Sequence, residues 1–235
     1  MVKSVDFIDK SIFDYLGKDD YAVFIALTGL CDEIRLNDGI VWVQTDESER
    51  ISAVVAISKN GKSLVFAHED ADKEELNFIT NDKSGEIDKK YLLRKTVPPL
   101  SCEKGVNKSE YWKIKDLNEA DRDKHSEIVA FKTLLNSMGK CEGALISDDK
   151  EIVAGGFITF SQKVSLITDV YTDESHSGQG YGKAIVEKLL NTSTNKDVYL
   201  VSKEHNLEFY KKCGFEVEFI RTCKENPKLN KKPMI

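Results

Sequence analysis

The sequence predicts an α+β protein in two parts, residues 1–100 and 106–225, and three observations carry that prediction. Short runs rich in Val, Ile and Phe, such as 51–57 and 151–160, are bounded by polar turns, which is the mark of strands. Other stretches repeat at helical spacing, such as 181–190 with Ile185, Val186, Leu189 and Leu190 on one face. Pro98-Pro99 then breaks the pattern near the middle, and the polar run 101–109 reads as a linker.

Taken in order, residues 11–16 and 21–30 carry apolar side chains at helical spacing and open the chain with helices. Strands follow at 40–44, 51–57 and 63–67, separated by the turns Thr45-Asp46-Glu47-Ser48 and Lys59-Asn60-Gly61-Lys62. Residues 70–80 read as a helix and 91–97 as a strand. The second part begins with a strand at 111–115, then a helix to about residue 137, which Asp116 caps with Glu119 three residues on. Strands at 142–147 and 151–160 are joined through Asp148-Asp149-Lys150, and a third runs over 165–172. After the helix 181–190 come a strand at 198–202, a helix at 204–213 stopped by Gly214, and a last strand at 215–220.

The two parts share an order of helix and three strands, so the first is expected to be a degenerate repeat of the second. Where the second part has a glycine-rich segment after its third strand, the first has His68-Glu69-Asp70-Ala71-Asp72-Lys73. One cofactor site is therefore expected.

The net charge of −6 argues against a nucleic-acid partner, which calls for a basic face. Five cysteines lie without CxxC spacing, which fits reduced thiols in the cytoplasm and argues against a disulfide framework or a metal site. Met1 to Asp6 form no apolar leader core, and no run approaches the length of a membrane helix, so no membrane partner is expected.

The chemistry concentrates at Ser177-Gly178-Gln179-Gly180-Tyr181-Gly182-Lys183, between a strand and a helix. Glycine lets backbone N–H groups turn toward a ligand with no Cβ in the way. A helix N-terminus behind it adds unpaired donors and partial positive charge, which together make an anion site that a diphosphate fits. A dinucleotide fingerprint is ruled out by spacing, because Lys183 and Ala184 follow Gly182. A phosphate-binding P-loop fails too, since Ser177 stands where its first glycine belongs and Ala184 where its hydroxyl belongs. A purely structural strand-to-helix turn is the other reading of the loop.

The loop resembles the signature Arg/Gln-x-x-Gly-x-Gly/Ala of the GCN5-related N-acetyltransferase (GNAT) superfamily, matched by Gly180 and Gly182. Upstream, Ile152 to Phe157 are similar to the family's third strand and Leu166 to Thr172 to its fourth. Downstream, Asn206 to Glu216, with Tyr210 and Gly214-Phe215, resemble its fourth helix, which ends Tyr-x-x-x-Gly-Phe. The resemblance covers about half of the chain. It implies a mixed, mostly antiparallel central sheet flanked by helices, the acyl-CoA N-acyltransferase fold, with an N-terminal α/β domain of degenerate, similar topology. Two departures stand out: Ser177 replaces the usual Arg or Gln, and Lys203 lies where many members have an Asn.

By that resemblance the cofactor is acetyl-CoA and the acceptor a small-molecule or peptide amine that attacks the thioester directly. Backbone groups of Val170, Tyr171 and Thr172 hold the pantetheine and stabilise the oxyanion. Ser177, Gly178, Gln179, Gly180, Tyr181, Gly182 and Lys183 bind the pyrophosphate. Tyr210 is the candidate general acid, since a phenol stays protonated at neutral pH and can donate to a leaving thiolate; a core tyrosine on an amphipathic helix is the other reading. Asp169 is the candidate base, with Glu174 and His176 behind it, and water can take the same role. Cys213 reads as a small buried apolar residue, since no histidine is placed to activate it. The alternative function is a catalytically silent acyl-CoA-binding module.

Overall fold

The computed structural model describes residues 1–5, 8–28, 40–57, 63–80, 87–96, 132, 135–148 and 151–224. The expected strand at 111–115 and most of the helix that follows lie outside them; residues 132 and 135–137, at that helix's end, are helical. The chain divides into two compact units, one of residues 1–92 with 201–205 and 217 onward, the other of 93–200 with 206–216.

In the first unit β1 (Val2–Val5) pairs antiparallel with β2 (Ile40–Thr45), and β2 continues through β3 (Ile51–Ile57) to β4 (Ser63–Ala67) as an antiparallel meander. Sequence reading misses β1, whose four residues Val2-Lys3-Ser4-Val5 are apolar only at the two ends and carry no strand alternation. Helix α1 (Lys10–Thr28) is two helical segments meeting at Gly17, whose φ of 69° and ψ of 177° only glycine adopts easily. Asp9 caps it by accepting from the backbone N–H of Ile12 at 3.1 Å. Every residue of β3 from Ser52 to Ala56 is buried, so the strand reads as an unbroken apolar run and not as an alternation. Ala53 and Val55 pack with Ala71 and Leu76, the latter from α2 (Lys73–Thr80). Buried Gln44 pins the start of α2: its amide donates to Glu75 Oε2 at 2.8 Å, and its Oε1 accepts from the N–H of Asp72 at 2.9 Å.

Strand β5 (Ile87–Thr96) leads toward the second unit, whose sheet is mixed and mostly antiparallel. Strands β6 (Cys141–Asp148), β7 (Glu151–Phe160) and β8 (Ser165–Thr172) are antiparallel, and β8 pairs parallel with β9 (Asp197–Ser202). Helix α3 (Tyr181–Thr192) buries Ile185, Val186, Leu189 and Leu190, the face its periodicity marks. It lies close on β7 because Gly156 is small: a Cβ there would come within 3.1 Å of Ile185 and 3.2 Å of Leu189.

The expected helix 204–213 is a 3-10 turn (Glu204–Asn206) followed by α4 (Leu207–Lys212). Gly214, at φ 84°, stops it, and the Lys95 ammonium donates to the Cys213 carbonyl at 2.8 Å. The final strand β10 (Glu216–Lys224) meets β4 at Lys224 and Ser63. Among the described residues no helix is long and apolar enough to cross a membrane.

Candidate active site

The candidate site grows out of an irregularity in β8. Gly155 pairs with Tyr171 and Phe157 with Thr168, so Asp169 and Val170 together face Gly156 alone. This is a bulge, and Asp169 absorbs it with a left-handed φ of 55°. Aspartate tolerates that region better than most side chains. On its other edge β8 pairs with β9 only at Ser165, Leu166 and Ile167, although β8 runs on to Thr172 and β9 to Ser202. Backbone groups of Asp169 to Thr172 are therefore released from that partner, and Val170, Tyr171 and Thr172 lie half-buried along the opening.

Beyond β8 the chain makes a 3-10 turn, Glu174–His176, which Asp173 caps by accepting from the N–H of Ser175 at 3.0 Å. Those hydrogen bonds hold the Asp173 carboxyl below its usual range. Ser175 Oγ lies 2.8 Å from His176 Nδ1, and Gln179 Nε2 donates to the Ser175 carbonyl at 3.3 Å, so the loop braces itself. Gly178 and Gly180 take φ of 77° and 87°, and Gly180 is the N-cap of α3. A glycine cap has no side chain to close the first turn, which leaves the N–H groups there oriented as an anion cradle. The space beside both glycines is open within 4 Å, and Ser177, Gly178, Gln179 and Gly180 are exposed.

Gly182 ties the pieces together. A Cβ on it would lie 3.1 Å from Thr172 Oγ1 and 3.3 Å from Phe209 Cζ, so the first turn of α3, the end of β8 and α4 meet at this point. Lys183 is ion-paired along the helix with Glu187 at 3.6 Å, and both are about half exposed. Tyr181 stands edge-on to His176, with ring centroids 5.8 Å apart.

Tyr210 is buried on α4 between Phe209 and Phe215, edge-on to both. Burial pushes its phenol up to about 12, with Cys213 and the Asp169 carboxylate adding to the effect. Tyr210 and Asp169 thus share one electrostatic neighbourhood, although they come from different elements. Cys213 is a buried free thiol, raised above its usual pKa chiefly by burial. Glu174 is exposed and His176 half-buried on the 3-10 turn.

Sequence reading misses Lys132. This lysine is 7% exposed, and its ammonium donates to Thr168 Oγ1 at 2.7 Å and to Thr159 Oγ1 at 3.4 Å. It stands 3.6 Å from Asp169 Oδ2. The signal was in the spacing: Ile128, Lys132 and Leu135 are four and three residues apart, which puts a lysine on the apolar stripe of its helix.

The bulged strand, the parting of β8 from β9 and the glycine-capped helix define an acyl-CoA N-acyltransferase fold. The sequence profile of the acetyltransferase (GNAT) domain matches residues 141–217, and this segment of the chain is a GNAT acetyltransferase domain. Among curated proteins, the chain is 33% identical over 99 residues to the histone acetyltransferase TAP1 of Glycine max, covering 40% of this chain and 42% of that protein. It is 34% identical over 76 residues to glucosamine 6-phosphate N-acetyltransferase of Trypanosoma brucei brucei, covering 31% of this chain and 52% of that one. The chain spans about half the length of the curated relatives it matches. A crystal structure of a GCN5-related N-acetyltransferase from Sphaerobacter thermophilus shares the fold, with TM-score 0.58 at 10% identity over 95% of this chain and 94% of that one.

Proposed function

We propose that the protein transfers an acetyl group from acetyl-CoA to an amine acceptor, by direct attack of the amine on the thioester. The observation that carries this reading is the glycine-capped N-terminus of α3, at the end of a strand that has parted from its parallel neighbour. Acetyl-CoA would supply the activated acyl carbon. N–H groups from Gly178 to Lys183, with Ser177, would hold its pyrophosphate, and backbone groups of Val170, Tyr171 and Thr172 its pantetheine. An oxyanion donor preorganised in such a site is worth about 3 kcal/mol.

Tyr210 is the proton donor to the departing thiolate. Its raised pKa keeps the phenol protonated across the neutral range, as the role requires. Asp169, half exposed beside the bulge, is the carboxylate that meets the acceptor amine. The acceptor is a small-molecule or peptide amine; the sugar phosphate and the histone in the relatives' names are instances of the two classes. Residues 1–100 are read as a degenerate copy of the 106–225 domain without the cofactor loop: β2, β3 and β4 form a meander followed by α2, as β6, β7 and β8 are followed by α3. The free thiols of Cys141 and Cys213 suit the reducing cytoplasm.

The test is calorimetric titration with acetyl-CoA of the wild type and of Gly180→Trp, followed by thiol release with a panel of amines. Micromolar binding lost in the variant, with release on adding an amine, supports the reading. Binding without release to any amine would favour a silent acyl-CoA-binding module, and equal or absent binding in both proteins would remove the cofactor assignment.

A further inference from the structure

The structure assigns a role to Lys132: it is a positioning residue that holds the Asp169 carboxylate for the acceptor amine. The inference rests on the acetyl-transfer reading above and adds a residue outside the motifs that led to it. Lysine is almost never buried without a partner. Here the partners come from two neighbouring strands and converge on one point. Thr159 on β7 and Thr168 on β8 accept from the ammonium, Asp169 lies 3.6 Å away, and the Phe157 ring centroid is 5.5 Å from Nζ.

Packing alone does not account for this choice, because an apolar side chain of the same shape fills such a space without the desolvation cost of a buried charge. What the ammonium does that a methyl cannot is fix a carboxylate. Asp169 needs fixing: its backbone sits at φ 55° in the bulge, and its side chain is 49% exposed, so one side meets Lys132 and the rest is open. Of the described ionisable groups, those acting on Asp169 are Lys132 and, from α4, Tyr210.

The experiment compares full-length wild type with Lys132→Met, Asp169→Asn and the double variant, and adds Thr168→Val, which removes the 2.7 Å hydrogen bond but keeps the charge. Lys132→Met is expected to leave the acetyl-CoA Kd unchanged and to lower kcat by about ten- to a hundred-fold, the scale of a misplaced reacting group. The double variant is expected to be no slower than the slower single one, because both changes act on the same carboxylate. Should Lys132→Met fail to fold, Thr168→Val is expected to lower kcat at constant Kd, and an unchanged kcat there overturns the role. Multiplying losses also overturn it. A wild type that binds acetyl-CoA but turns over no amine overturns the catalytic reading beneath it, a result distinct from any of these.

Discussion

The ring of Tyr171 lies directly over its cross-strand partner Gly155, so that a Cβ at 155 would come 2.8 Å from Tyr171 Cε1 and 2.9 Å from Leu145 Cδ2. The register of β7 against β8 depends on this glycine being small. Gly155→Ala must displace both side chains in a closely packed layer, and is expected to cost about 1–3 kcal/mol as overpacking. Urea denaturation of the variant measures it; a midpoint equal to wild type would mean that Tyr171 moves freely.

The Tyr171 hydroxyl is buried and, among the described residues, has no hydrogen-bond partner. An unsatisfied buried hydroxyl is a desolvation cost of about 1–3 kcal/mol. Tyr171→Phe is therefore expected to leave stability unchanged or to raise it, against the general trend of core substitutions. A clear drop in melting temperature would show that the hydroxyl finds a partner in solution.

Gly180 caps α3 at φ 87°, where any side chain is strained even though the space beside it is open. Gly180→Ala is expected to destabilise by about 1–2 kcal/mol, the cost of left-handed backbone. On the proposed function, acetyl-CoA affinity falls in the same variant. Thermal melts and calorimetry run together check both; a loss of affinity with an unchanged melt would mean that the substitution blocks the cradle without straining it.

Tyr210 and Tyr15 each have a phenol pushed up to about 12 by burial. A raised pKa means that the folded state holds the proton more tightly than the unfolded chain, whose tyrosines titrate near 10. The resulting stability is fully present below about pH 10 and is lost between there and about pH 12. Tyr210→Phe should flatten part of that alkaline loss while lowering kcat about a hundred-fold or more at pH 7.5, as removal of a general acid does. A pH series of denaturation midpoints, paired with turnover, separates the two effects.

Much of this architecture is written in the local sequence. The β3, β4, β7 and β8 boundaries follow from apolar runs between polar turns, and the glycines at 178 and 180 mark the loop because few other residues tolerate such backbone. What the sequence conceals is whatever depends on a distant partner. Val2 to Val5 become a strand only by pairing with Val41 to Gln44. The bulge at Asp169 is set by how β7 and β8 align, and nothing in Thr168-Asp169-Val170 alone announces it. Lys132 shows in the sequence only as a lysine on an apolar stripe, and the two threonines that hold it come from separate strands. The two helical stretches around Gly17 were legible, because the apolar spacing lapses there.

The bulge in β8 has a consequence for how this region tolerates change. Two residues stand where the opposing strand offers one, so the strand's two-residue rhythm is out of phase beyond Asp169. Deleting either Asp169 or Val170 would let the ladder heal with Tyr171 still opposite Gly155, and the bend that the extra residue makes would be lost. Between residues 165 and 182 the site is therefore encoded as a count as much as a composition: it is the one residue in excess of the opposing strand that bends β8 where it parts from β9.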